Sequence, residues 1–271
     1  MLKRTDVLKL SAIGILTIIA YIPTLIWMYD RWTVTDTYYS HGFLVPLISA
    51  YIVWAKRKEF KNLDVYASNS GWLFFSIGIL IHSLSTLFRI SSISGFALLS
   101  IMPGIILLTL GKQYLKKLLF PVFFLSFMIP LPQVAIVNIS FRLKLLAAQI
   151  STFIINNLGV RAVREGSIIR TAHAQLMVED PCSGIRSLIA LIALGALMAY
   201  FSNLSKIKKT ILFISSIPIA IATNIIRIVA LSLASEIYGE KSATGLFHDT
   251  MGILVFVFAF LGLLLVNKLL E

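Results

Sequence analysis

Val134 to Leu158 reads VAIVNISFRLKLLAAQISTFIINNL, and whether this stretch crosses a bilayer or lies on it decides the topology of everything after it. It is apolar enough to resemble a span, yet it carries Asn138, Arg142, Lys144, Gln149 and Asn156. Asn138, Arg142, Gln149 and Asn156 recur at spacings of four, seven and seven, which puts them on one helical face. That pattern predicts an amphipathic helix on the outer interface. A spanning reading would also place Lys206, Lys208 and Lys209 outside, against the tendency of cytoplasmic loops to collect Lys and Arg.

The composition makes membrane spans expected. The chain has 271 residues, 58% apolar and only 13% charged, with a mean hydropathy of +0.90; a soluble globule would be nearer half apolar and a quarter charged. Twenty-four Lys and Arg against twelve Asp and Glu give a formal charge of +12. The basic residues are scattered over loops and not gathered with aromatics into a patch, which argues against nucleic acid as a partner. One cysteine excludes an intrachain disulfide and a two-thiol relay. Four histidines without paired ligand spacing give no support for a metal site, and no cofactor is expected.

Apolar windows of bilayer length fall near 8–29, 42–55, 71–88, 92–111, 117–132, 183–202, 210–236 and 249–267. Lys3, Arg4 and Lys9, then Lys56 to Lys58 and Lys61, then Lys112, Lys116 and Lys117, then Lys206, Lys208 and Lys209, and finally Lys268 all fall on one side of such an array. That side is expected to be cytoplasmic. Trp27 and Trp32 then sit at the outer end of the first span, and Trp54 and Trp72 flank a cytoplasmic loop, as interfacial aromatics do. The first span lacks a cleavage pattern and is expected to be retained. After Leu158, two β-like runs around Thr171 to Ala174 predict a small external hairpin. The expected fold is therefore an all-α polytopic membrane protein of about eight transmembrane helices with both termini cytoplasmic. It forms one integral-membrane domain over 1–271, with an external interfacial helix and β-hairpin at 134–181, between the fifth and sixth spans.

The unusual polar residues converge on the outer side. In Glu179-Asp180-Pro181-Cys182-Ser183-Gly184-Ile185-Arg186, Asp180 reads as an N-cap and Pro181 as the first helical residue. Cys182 would then lie in a first helical turn, where the macrodipole favours a thiolate, with Arg186 one turn deeper on the same face. The carboxylates Glu179 and Asp180 act the other way, and a lone cysteine can equally be small apolar filler. Asn224-Ile225-Ile226-Arg227 places a guanidinium in an apolar helix, roughly 15 Å below Tyr238. It serves either as an oxyanion or carboxylate holder or in an ion pair with Glu236 or Asp249. His248 offers an imidazole at the outer interface for proton transfer. His41 competes for that role, or else anchors the first loop beside Trp32 with Tyr38 and Tyr39.

These motifs resemble a known family. Cys182-Ser183-Gly184-Ile185-Arg186, Asn224-Ile225-Ile226-Arg227 and His248 with Gly252 downstream are similar to the late motifs of the exosortase/archaeosortase family of membrane cysteine transpeptidases. Tyr39-Ser40-His41-Gly42-Phe43-Leu44-Val45-Pro46 resembles the early motif of its bacterial members, so that the likeness runs from about residue 38 to 256. The resemblance implies that Cys182, Arg227 and His248 form the catalytic trio, with Arg186, Asn224, His41 and Asp180 supporting or binding substrate. It implies a thiol protease and transpeptidase of protein sorting. Its partners would be exported proteins ending in a PEP-CTERM-like motif, a transmembrane helix and a basic tail, together with membrane lipid and an acceptor nucleophile. The implied location is the bacterial inner membrane, with the active site on the periplasmic or exterior side. Two rival readings use the same residues: a membrane acyltransferase working through Cys182 and His248, and a transporter in which Arg186 and Arg227 bind an anionic solute.

Overall fold

A computed structural model describes residues 4–34, 37–60, 63–178, 184–239 and 246–271. The chain divides into two compact units, Met1–Pro132 and Gln133–Glu271. Among the described residues five helices are long and apolar enough to cross a membrane: Ser11–Thr33, Ser91–Thr109, Gln133–Asn157, Lys206–Tyr238 and Thr250–Leu270. Three shorter apolar helices, Ser40–Ala55, Gly71–Leu87 and Ile185–Phe201, fall on other expected windows.

The first unit contains α1 (Arg4–Thr33), a 3-10 turn (Ser40–Phe43) running into α2 (Leu44–Ala55), and the short α3 (Arg57–Phe60). It continues with α4 (Gly71–Leu87), α5 (Ser91–Thr109) and α6 (Lys112–Phe124). The expected window 117–132 does not form a continuous helix. α6 ends at Phe124, a 3-10 turn covers Leu125–Met128, and Ile129 is extended. The reason is local: Ile129 precedes Pro130, whose ring disfavours helical geometry in the residue before it.

α4 and α5 pack with almost no side chain between them at Gly104, where a Cβ would stand 2.6 Å from the Phe75 backbone nitrogen. Small residues at such crossings let two apolar helices gain dispersion contacts that lipid does not offer. Polar atoms complete the packing. Thr24 and Ser94 hydroxyls pair at 2.6 Å, His82 Nδ1 meets Ser94 at 2.9 Å, and the Tyr21 ring stacks on His82 with centroids 4.2 Å apart. His82, an isolated polar residue in the sequence, is thus committed to joining α1, α4 and α5. Elsewhere on α1, Ile15, Leu16, Ile18 and Ile19 are exposed, as side chains facing lipid are.

The second unit contains α7 (Gln133–Asn157), strands β1 (Val163–Glu165), β2 (Ile168–Arg170) and β3 (Gln175–Met177), then α8 (Ile185–Phe201), α9 (Lys206–Tyr238) and α10 (Leu246–Leu270). The strands form an antiparallel sheet in the order β1-β2-β3. The expected hairpin is β2–β3, closed by Thr171 N–H to the Ala174 carbonyl at 2.9 Å, and β1 extends it by one strand.

α9 is the scaffold of this unit. Its 33 residues span roughly 50 Å, and α7, α8 and α10 all pack on it. Ala147, Ala148 and Ile155 of α7 meet Ile225, Ile228 and Leu231 of α9, and Ile169 and Val178 of the sheet region close the same core. Asn138, Arg142, Gln149 and Asn156 are all exposed, and so are Val134, Val137, Phe141 and Phe153, so the outward side of α7 mixes polar with large apolar side chains. Its length and hydropathy are nevertheless those of a span. Asn156 fastens the end of α7 to the sheet by accepting from Ala162 N–H and donating to its carbonyl, both at 2.9 Å.

Placing Leu at Gly104 should separate α4 from α5 and destabilise the protein by about 1–3 kcal/mol, read as a fall in Tm of the detergent-purified protein. Leu at Gly14, which has nothing within 4 Å of its Cβ position, should leave Tm nearly unchanged.

Candidate active site

Asn224 and Arg227 lie three residues apart on α9 and so share a face. Asn224 is buried, only 3% exposed, and packs against Gly184. A Cβ on Gly184 would stand 2.7 Å from Asn224 Cγ, and the Gly184 φ of +78° lies in the left-handed region where side chains other than glycine are strained. Two independent constraints therefore ask for glycine at this position. Beside the contact runs a narrow, mostly apolar cleft bounded by Leu143 and Ala147 of α7, Leu188 of α8, and Ala220 and Ile221 of α9.

Gly184 is the N-cap of α8, which begins at Ile185. The start expected from Asp180 and Pro181 lies upstream of the first described helical residue of α8, Ile185. Asp180 and Cys182 themselves fall in 179–183, outside the described residues. The chain before that segment is fixed: Val178 is buried, and its N–H donates to the Ser167 carbonyl at 3.0 Å. Arg186 is the second residue of α8 and is half-buried, its Nε shut off from solvent.

Arg227 faces α10. A Cβ on Gly252 would stand 3.5 Å from Arg227 Nη2 and 3.8 Å from Cζ, so the guanidinium approaches the α10 backbone at a residue without a side chain. His248 is the third residue of α10 and lies four before Gly252, one turn earlier on the same face. α9 thus meets, through Asn224 and Arg227, the chain that follows Cys182 and the helix that carries His248.

Glu236 is engaged elsewhere. Its carboxylate accepts from His173 N–H at 3.1 Å, beside the Thr171 hydroxyl, which donates to the Ala174 carbonyl at 3.0 Å. It clasps the β2–β3 turn to the end of α9 and is not the ion-pair partner considered for Arg227. The clasp has no signal in the sequence, because it joins positions 63 residues apart through a main-chain donor.

His41 belongs to the first unit, in the 3-10 turn before α2. Its ring lies near the Phe127 backbone, and its Nε2 is buried without a partner among the described residues. Neighbouring residues are anchored in the same unit. Trp32 Nε1 donates to the Met128 carbonyl at 2.9 Å, and the Tyr39 hydroxyl accepts from Leu131 N–H at 3.0 Å. Burial raises the Tyr39 phenol to about 12, keeping it neutral at physiological pH. The tyrosine and tryptophan thus tie this loop to the segment after α6. Among the described residues no three His, Cys, Asp or Glu side chains group as metal ligands would.

A family model described as transmembrane exosortase matches residues 8–265, nearly the whole chain. No curated protein and no solved structure matches.

Alanine at Gly184 should lower Tm by more than alanine at Gly159, which also has a positive φ but open space at its Cβ position. The left-handed strain common to both is about 1–2 kcal/mol, and the excess at Gly184 measures the Asn224 contact. Equal losses would mean that this contact constrains nothing.

Proposed function

Because the chain belongs to the transmembrane exosortase family, we propose that it is a membrane-embedded cysteine protease or transpeptidase that removes the C-terminal sorting tail of exported proteins. In this reading eight helices cross the bacterial inner membrane with both termini inside, α7 lies on the outer face, and the site opens outward. The short apolar helices Ser40–Ala55, Gly71–Leu87 and Ile185–Phe201 then serve as spans, and the exposed Trp54 and Trp72 face lipid at the cytoplasmic interface.

The observation that supports this reading is the convergence on α9. Asn224 packs on Gly184, two residues beyond Cys182, and Arg227 lies against Gly252, one turn from the His248 position. In the mechanism, His248 takes the thiol proton and Cys182 Sγ attacks the scissile carbonyl carbon. Arg227 holds the resulting oxyanion. Collapse of the tetrahedral adduct breaks the C–N bond, the leaving amine receives the proton from His248, and the tail stays in the membrane. The thioester on Cys182 is then opened by water, giving hydrolysis, or by an acceptor amine or hydroxyl, giving transfer. Asn224 holds the approach to α8 in place, and Arg186 adds positive charge beside it.

Coexpression with a tail-bearing protein of the same genome, followed by intact-mass analysis, tests the reading. Wild type should shorten the partner by the mass of the tail, any added mass identifying the acceptor, and Cys182→Ala should leave it uncut. Processing by Cys182→Ala would exclude the thioester. Arg227→Ala should slow cleavage by about 10²–10³-fold. Arg227→Lys should restore only part of that, since an ammonium lacks the planar fork of donors.

A further inference from the structure

The three-stranded sheet carries a surface that the proposed chemistry leaves unused. β1 is an edge strand, and all three of its residues are exposed. β3, the opposite edge, packs beside α9, whereas β1, though close to α7, keeps all three of its residues exposed. Along an antiparallel edge every second residue turns its N–H and C=O outward, where another extended chain can pair with them.

This edge is strongly cationic. Arg161, Arg164 and Arg170 are exposed on and beside it, and the carboxylate of the sheet, Glu165, is already paired with Arg170 at 3.2 Å. Arg164 donates to the Gly166 carbonyl at 3.0 Å, and Arg161 has no carboxylate partner among the described residues. Val163, 64% exposed, stands between those two arginines as an apolar foothold. In the proposed orientation the strip faces outside, where Lys and Arg are normally depleted, so topology does not account for these charges. The sheet also leads directly to the nucleophile segment, since β3 ends at Met177 and Cys182 follows five residues later.

We infer that the β1 edge, with Arg161 and Arg164, is a docking strip for an acidic, extended segment of the protein substrate, which pairs with β1 as a fourth strand. This rests on the sorting-enzyme reading for the identity of the substrate. Strand addition supplies main-chain hydrogen bonds, and the arginines select against basic sequences.

The probes are a labelled heptapeptide alternating Glu with Val and a counterpart alternating Lys with Val, titrated by anisotropy into the full-length Cys182→Ala protein in detergent. The Glu peptide should bind roughly tenfold or more tightly than the Lys peptide and weaken as salt rises from about 50 mM to about 500 mM. The Arg161→Glu/Arg164→Glu variant should reverse the preference. N-methylation of alternate peptide nitrogens, which leaves charge unchanged, should abolish binding. Equal affinity for the two peptides, or an N-methylated peptide that binds normally, overturns the proposal. If the double variant keeps its peptide preference but loses retention on phosphatidylglycerol vesicles, the strip serves lipid and the proposal is wrong. Where Arg161→Glu/Arg164→Glu folds poorly, Arg161→Ala/Arg164→Ala should lose the preference without reversing it, and an unchanged preference in that variant overturns the proposal. The tail-processing assay separates the two readings. Wild-type cleavage that Arg161→Glu/Arg164→Glu leaves unchanged refutes the strip alone, and absence of wild-type cleavage refutes the sorting enzyme whatever the peptides do.

Discussion

Arg227 is a permanent charge in an apolar helix, and much of the second unit can be understood as the accommodation of that charge. An intramembrane guanidinium is costly unless it is packed and solvated by protein groups. α9 places it where α10 offers a glycine, so that the guanidinium reaches the backbone of the neighbouring helix without displacing a side chain. Three residues earlier the same face carries Asn224, buried against the glycine that opens α8. Two helices are thereby set against a third: the Asn224 contact requires glycine at 184, whereas Gly252 leaves ordinary van der Waals room beside Arg227.

The apolar contacts around these points are broad and tolerant. Leu191, Ala199, Leu212, Ala220, Ala259 and Leu263 form one core of this unit, and the α7–α9–sheet core forms another. Such packing fixes which helices are neighbours but admits small sliding motions. Polar contacts at Asn156 and Glu236 carry directional information, because each pairs with specific main-chain donors or acceptors of the sheet region. Glu236 ties the hairpin tip to α9, while Val178 is buried at its base. The chain therefore enters the segment containing Cys182 from a fixed point and leaves it at another, Gly184.

Legibility in the sequence followed the length scale of the signal. Long apolar runs near 92–111, 210–236 and 249–267 were readable because hydropathy summed over many residues dominates local chemistry, and each became a helix. That the polar residues of α7 share its outward side was readable from spacing alone. The window 117–132 misled because its hydropathy continues past Phe124 while Pro130 stops the helix. β1 escaped because an exposed strand of Val163, Arg164 and Glu165 has no apolar alternation to reveal it. At the site, residue types could be read and local conformation could not. The Asp180-Pro181 pattern is a sound helix start in isolation, but the first described helical residue of α8 is Ile185, after a left-handed Gly184.

That shift changes the source of reactivity in the proposed chemistry. A helix macrodipole acts on groups within its first turn and fades beyond it, and α8 as described starts at Ile185, three residues after Cys182 in the sequence. The proposed chemistry therefore assigns activation of the thiol to a base. The proton must then leave through a base as attack occurs, which gives His248 a kinetic role that a preformed thiolate would make unnecessary. Arg227 acts on the other partner, stabilising charge as it develops on the carbonyl oxygen. In this scheme Arg227 on α9 and His248 on α10 divide the work between oxyanion and proton, and neither can substitute for the other.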